Sequence, residues 1–170
     1  MEYYCHVFNT GKGWVAILGS TRGLVSVTLP RSSAQGALDY LGGAIEQAAP
    51  SPKRFRDLAR RLQDYFSGHK VLFPDELDLS SATPFQRAVW QATRLIAYGE
   101  TRSYGWLADK VSRPGAARAI GQALSKNPLP IIVPCHRVIG SDGSLGGFSD
   151  GLEMKRHLLR LEAATTSPQW

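Results

Sequence analysis

The first thirty residues set short apolar runs between polar breaks. WVAIL at 14–18 and LVSVTL at 24–29 are rich in β-branched and aromatic residues, the composition of strands. GSTRG between them predicts a hairpin with a longer loop. The stretch at 31–52, RSSAQGALDYLGGAIEQAAPSP, carries a weak helical pattern broken by glycines before a proline-rich joint. From Ser51 onward the period becomes helical. Ser51 is a cap candidate, Pro52 suits a first turn, and Phe55, Leu58, Leu62, Tyr65 and Phe66 recur on one face before Gly68. Basic residues cover the opposite face, as on a solvated surface.

VLFPDELDLSSATP at 71–84 reads as a short strand and a connector. The composition changes at 80–83, which sets the expected domain boundary: residues 1–80 and residues 81–170. Thr83 then caps a helix with Pro84 at its first position. Phe85, Ala88, Val89, Ala92, Leu95 and Ile96 share a face, and the helix closes near Gly99. Two short helices follow, SYGWLADKV from Ser103 and PGAARAIGQALSKNP from Pro114, joined by SRPG. Across so tight a turn they fit a helix-turn-helix, or equally a helix pair within a core. In the second helix Arg118 is the one long side chain among Ala116, Ala117, Ala119, Gly121 and Ala123. So bare a surface suits close approach to a neighbouring helix or to a DNA groove. A last helix is predicted over 152–164 with Met154, Leu158 and Leu161 on one face, and TTSPQW at 165–170 as a frayed tail. The fold class is α/β (α+β): a small sheet-plus-helix domain, then a mainly helical domain carrying the helix-turn-helix. No internal repeat is present.

Composition narrows the class. With 43% hydrophobic residues over 170 positions, the chain can bury a proper core. A net charge of +6 suits a polyanionic partner, or simply a basic surface. No apolar stretch is long enough to span a bilayer. No basic region followed by an apolar run opens the chain, so no signal peptide is expected. The two cysteines, Cys5 and Cys135, form neither a disulfide framework nor a CxxC pair nor a zinc knuckle, which suggests a reducing, intracellular setting.

The chemistry concentrates in IIVPCHRVIGSDGSLGGFS at 131–149. Cys135 stands between a proline and a His-Arg pair, with a glycine-rich turn beyond. A thiolate is the nucleophile, and a nearby base or positive charge raises its population. Taken singly, His136 fits a hydrogen-bonded core histidine and Glu162 a solvated helix end. A Cys-His hydrolase and a plain DNA-binding module therefore both stay open at this level.

Four segments close the gap: TPFQRAVW at 83–90, GETRSYGWLA at 99–108, AARAIGQALSKNPLPIIVPCHRVIG at 116–140 and GGFSDGLEMKRHLLRLE at 146–162. In this order and spacing the chain resembles the O6-alkylguanine-DNA alkyltransferases, the methylated-DNA–protein-cysteine methyltransferase family. The resemblance covers residues 83–162. It implies direct-reversal repair of duplex DNA: Cys135 takes the alkyl group from O6-alkylguanine, with O4-alkylthymine as a further substrate, in one stoichiometric and irreversible turnover. His136 would activate Cys135 through a water and Glu162 would orient His136. Tyr104 would reach guanine N3, and Asn127 would tie the helix-turn-helix to the acceptor segment.

The same resemblance implies that the base is flipped out of the duplex and that Arg118 fills its place. The second helix would dock in the minor groove through Ala117, Ala119 and Gly121, with Ser103 and Tyr104 also on the DNA. Leu124, Val138, Gly146, Phe148 and Ser149 would line the substrate pocket. Backbone groups of Cys135 and Val138 would accept from the guanine edge, and the Ser149 N–H would donate to O6. Phe148 stands where the family often has tyrosine. Arg137 is expected to serve pairing rather than catalysis. The resemblance further implies a winged-helix-like form for the helix-turn-helix and a ribonuclease-H-like, structural first domain. It implies a monomer with no metal and no small-molecule cofactor, located in the cytoplasm on the nucleoid of a prokaryote, or in the nucleus of a eukaryote. Some members carry a Cys2His2 zinc site in the first domain; Cys5 is the one cysteine there, so none is expected. The four-cysteine zinc domain of adaptive-response relatives has no counterpart, and Cys135 itself disfavours the branch with tryptophan at the acceptor.

Overall fold

The computed structural model describes residues 2–166 and divides into two compact units, Met1–Ser80 and Ser81–Trp170. The first holds a four-stranded sheet in the order β3-β2-β1-β4. Strand β1 (Tyr3–Asn9) runs antiparallel to β2 (Trp14–Ser20), with Tyr3 opposite Ser20 and Asn9 opposite Trp14. β3 (Gly23–Val27) continues antiparallel beside β2, and β4 (Ala48–Pro50) pairs parallel with β1. Val15 to Leu18 of the central β2 are buried in succession, which is why their apolar run does not alternate.

Several expectations for this unit change. The β2–β3 turn is only Thr21 and Arg22, because Gly19, Ser20 and Gly23 join the strands. The 31–52 stretch forms helix α1 (Ala34–Tyr40), capped by the Ser33 side chain, then a 3-10 turn at Gly43–Gln47 and the short β4. Ser51 does not cap the next helix. Its N–H donates to the Cys5 carbonyl at 2.8 Å, which extends the sheet edge, and α2 spans Arg56–Phe66 with Phe55 at its N-cap. The predicted face is nevertheless buried at Phe55, Leu58, Leu62, Tyr65 and Phe66. No strand forms at 71–73. The chain pairs instead at Leu77, where the Leu24 N–H donates to Glu76 O and the Asp78 N–H to Leu24 O.

The second unit is mainly helical. α3 (Pro84–Thr93) begins with a full capping box: the Thr83 hydroxyl accepts from the Gln86 N–H at 3.1 Å, and the Gln86 side chain accepts from the Thr83 N–H at 3.0 Å. It ends at Thr93, earlier than its periodicity suggests, so Leu95 is 69% exposed while Ile96 is buried. α4 (Tyr104–Lys110), capped by Ser103, and α5 (Ala117–Ser125) pack on α3 and on each other as the helix-turn-helix. The Trp90 indole N–H of α3 donates to the Ala123 carbonyl at 2.9 Å, fixing α5 by its last turn. A two-residue parallel ribbon, β5 (Arg102–Ser103) with β6 (Val138–Ile139), joins the start of α4 to the segment after Cys135.

The last helix, α6, spans Leu152–Thr166. Its buried stripe is Lys155, Leu158 and Glu162, offset from the predicted Met154, Leu158 and Leu161. Thr165 and Thr166 of the expected frayed tail belong to the helix, and 167–170 lie outside the described residues. No described helix is long and apolar enough to cross a membrane.

Candidate functional site

Cys135 opens a 3-10 turn, Cys135–Arg137, all three residues of which are buried. The approach to it is strained. Ile131 has φ +73°, a region β-branched residues avoid, and is held there fully packed. Asn127, just past α5, braces the turn with its whole amide. Its Oδ1 accepts from the Leu129 N–H at 2.9 Å, and its Nδ2 donates to Val133 O at 3.0 Å and to Cys135 Sγ at 3.3 Å.

Behind the cysteine lies a buried ionic cluster. Glu162 accepts from His136 Nε2 at 2.5 Å, from Arg137 Nε at 2.8 Å and Nη2 at 3.2 Å, and from the Gly99 N–H at 3.0 Å. Arg137 also donates to Ile96 O at 2.8 Å. Burial alone would raise the Glu162 pKa, but the hydrogen bonds from His136 and Arg137, with the Arg137 charge, outweigh it and hold the carboxylate ionised far below its usual range. Burial lowers the His136 pKa against the pull of Glu162, so the ring is neutral near pH 7. Burial also raises the Cys135 thiol, with the Asn127 hydrogen bond and the Lys155 charge working against it. The resting site therefore pairs a protonated thiol with a neutral imidazole whose Nε2–H is committed to a carboxylate.

In front of the cysteine is a cavity of about 700 Å³, large enough for a nucleobase with a substituent. Tyr104, Ala117, Arg118, Gly121, Leu124, Gly146, Phe148 and Ser149 line it with Cys135. Gly146 has φ +71°, and a Cβ there would lie 2.7 Å from Cε2 of Tyr104, so a glycine is required where the loop meets the ring. Burial raises the Tyr104 pKa, keeping the hydroxyl protonated. Arg118 is exposed in the first turn of α5, at the cavity wall. Ala119 lies exposed on α5 without lining the cavity, and the Ser103 hydroxyl accepts from the Trp106 N–H at 3.0 Å as the α4 cap. Val138 departs from its expected place: it is fully buried behind the cavity, and its carbonyl accepts from Lys155. Gln122, Ser125 and Gly147 are further lining residues that sequence reasoning missed.

Charge follows the same division. Of the chain's Lys and Arg residues, eleven lie in Ser81–Trp170 against six Asp and Glu, whereas Met1–Ser80 carries nine against eight. Both cysteines are free and buried. Among the described residues no group of three or more His, Cys, Asp and Glu is placed to hold a metal ion.

A helix-turn-helix whose second helix walls a cavity ending on a buried cysteine is the layout of a DNA-binding domain with a thiol at its centre. Residues 84–164 match the family model of the 6-O-methylguanine DNA methyltransferase DNA-binding domain. The methylated-DNA–protein-cysteine methyltransferase of Mycobacterium tuberculosis is 52% identical over 113 residues, 66% of this chain and 68% of that one. The Methanosarcina acetivorans protein of the same name is 37% identical over 161 residues, 95% of this chain and 99% of that one. The crystal structure of M. tuberculosis OGT in complex with DNA superposes with a TM-score of 0.78 at 39% identity, covering 97% and 94% of the two chains. The chain belongs to the methylated-DNA–protein-cysteine methyltransferase family.

Proposed function

We propose that this protein repairs duplex DNA by moving the alkyl group of O6-alkylguanine onto Cys135, once per molecule. The observation that carries the proposal is the joint position of Cys135: it ends the cavity lined by Tyr104 and Arg118 and lies next to the buried His136–Glu162 pair. The neutral His136 takes the thiol proton. Because Nε2 is held by Glu162, that proton arrives at Nδ1, through a bridging water. The thiolate attacks the alkyl carbon, the S–C bond forms and the C–O6 bond breaks. Guanine leaves as the electron pair settles on the base, and Tyr104 supplies a proton at N3. The proton held on His136 then returns to Tyr104 through solvent, so the net change is one proton from the thiol to guanine. The thioether has no hydrolytic exit, so the site is consumed.

A guanine in a stacked duplex does not reach a buried thiol. The target base is therefore extruded into the cavity, and Arg118 occupies the gap it leaves. The small residues Ala117, Ala119 and Gly121 let α5 enter the minor groove closely, where readout is sparse and sequence preference low. The same cavity admits O4-alkylthymine as a second substrate. The Met1–Ser80 unit, a ribonuclease-H-like fold in this reading, plays a supporting role, and the protein acts as a monomer in the compartment that holds the DNA.

The test is intact mass after exposure to O6-benzylguanine. One benzyl increment, mapped to Cys135, is the expected result. An unchanged mass with no product supports a binding module and defeats the proposal. Released product at many turnovers per protein supports a hydrolase and defeats it as well.

A further inference from the structure

Lys155 is the one fully buried lysine among the described residues, and neither the acceptor chemistry nor the DNA contacts use it. Its Nζ donates to Val138 O at 2.7 Å, to Leu145 O at 2.5 Å and to Gly147 O at 3.2 Å, and lies 3.5 Å from the Tyr104 hydroxyl. Those partners belong to β6, to the glycine loop and to α4. An ammonium has three N–H donors, and three carbonyls take them. Burying that charge is costly, and an apolar side chain of similar length would pack there without the penalty. What the ammonium supplies is a cross-link. It grips the carbonyls on both sides of Gly146, the residue whose backbone rests against the Tyr104 ring.

We infer that Lys155, in its charged form, is a positioning residue that sets the glycine loop and Tyr104 against the Cys135 cavity. The inference rests on the proposed alkyl transfer. A neutral amine has one donor fewer and no charge to offer three carbonyls, so losing the proton slackens the loop. Burial brings the Lys155 pKa down to about 8, with the Cys135 charge opposing. The titratable groups around it are Tyr104 of α4, with Cys135 and His136 of the 3-10 turn, while Asp150 of the loop acts on Cys135. Two opposed effects of pH follow. Raising pH first discharges Lys155, around its pKa of about 8, which slackens the loop and slows transfer; the Cys135 thiolate, which burial pushes above the ordinary thiol range, populates only at higher pH.

The experiment measures single-turnover methyl transfer from an O6-methylguanine duplex, at saturating protein, across neutral to alkaline pH. The wild-type protein and Lys155→Met are compared, with unmodified-duplex affinity and thermal unfolding alongside. Lys155→Met should bind the unmodified duplex as the wild type does, because α5 is untouched. Its transfer should slow by about a hundredfold, the scale of a reacting group misplaced by an ångström, and its alkaline falling limb should be absent. Equal rates and equal pH profiles in the two proteins overturn the inference and leave the proposed function standing. If Lys155→Met does not fold, the wild-type profile decides: a rate with no fall as pH passes through about 8, where Lys155 loses its proton, overturns the inference. Wild-type protein that transfers nothing at any pH overturns both readings.

Discussion

Replacing Glu162 with Gln should cost more stability than its position near the end of a helix suggests. The carboxylate accepts four hydrogen bonds and is the counter-charge of a buried guanidinium; the side chains of Glu162 and Arg137 are 1% and 8% exposed. Gln keeps the shape but loses the charge, and its amide turns N–H donors toward the donors of His136 or Arg137. Removing one partner of a buried ion pair costs about 3–5 kcal/mol, a large part of the roughly 5–15 kcal/mol that holds a domain. Urea unfolding followed by circular dichroism measures the loss. Adding Arg137→Met to Glu162→Gln should restore part of it, since the stranded charge goes too. The pH dependence carries the same signature. The Glu162 pKa is depressed in the folded state, so its contribution is complete above the unfolded carboxylate value of roughly 4.3 and drains away as pH falls below it. Glu162→Gln should therefore unfold with a flatter acid limb. A loss below about 1 kcal/mol, the size of an ordinary exposed pair, or a double variant no better than the single one, would refute the reasoning.

Other outcomes follow from the same geometry. Cys135→Ala should abolish alkyl transfer and leave duplex affinity intact in a gel-shift assay; transfer to another residue would overturn the acceptor assignment. Arg118→Ala should slow repair of an alkylated duplex far more than reaction with free O6-benzylguanine, which has no unstacking cost of a few kcal/mol to meet; equal slowing on both refutes the gap-filling role. Alkylated protein should melt below the unmodified form, benzylated further than methylated. Asn127 Nδ2 lies 3.3 Å from the sulfur, and added volume at a packed site costs about 1–3 kcal/mol. Coincident melting curves for all three forms would show that the site takes the group without strain.

What the sequence reveals depends on the range of the interactions behind it. The start of α3 is fully legible, because a capping box is local: Thr83 and Gln86 satisfy each other. Cys135, His136, Asn127 and Tyr104 are legible through the order of their motifs, and the structure brings them together around one turn and one cavity. The start of α2 misleads, since Ser51 has a second use at the sheet edge that only a strand 46 residues earlier defines. Leu95 extends the periodicity of α3 but not its helix. Lys155 is the largest omission. In a helix pattern a lysine reads as solvated, and the carbonyls that hold it belong to Val138, Leu145 and Gly147, none on its own helix. A local pattern carries no trace of them.

The left-handed Ile131 bears on how small a working version of this protein could be. Outside a packed interior that backbone is unfavourable by about 1–3 kcal/mol, and a loose chain escapes it at once. A synthetic peptide spanning the acceptor segment would contain the right side chains in the right order, yet its cysteine would be an ordinary thiol in an extended chain. Under the proposed function, reactivity belongs to the assembled interior rather than to the motif, so excising the motif for use as a labelling tag would excise the letters without the chemistry.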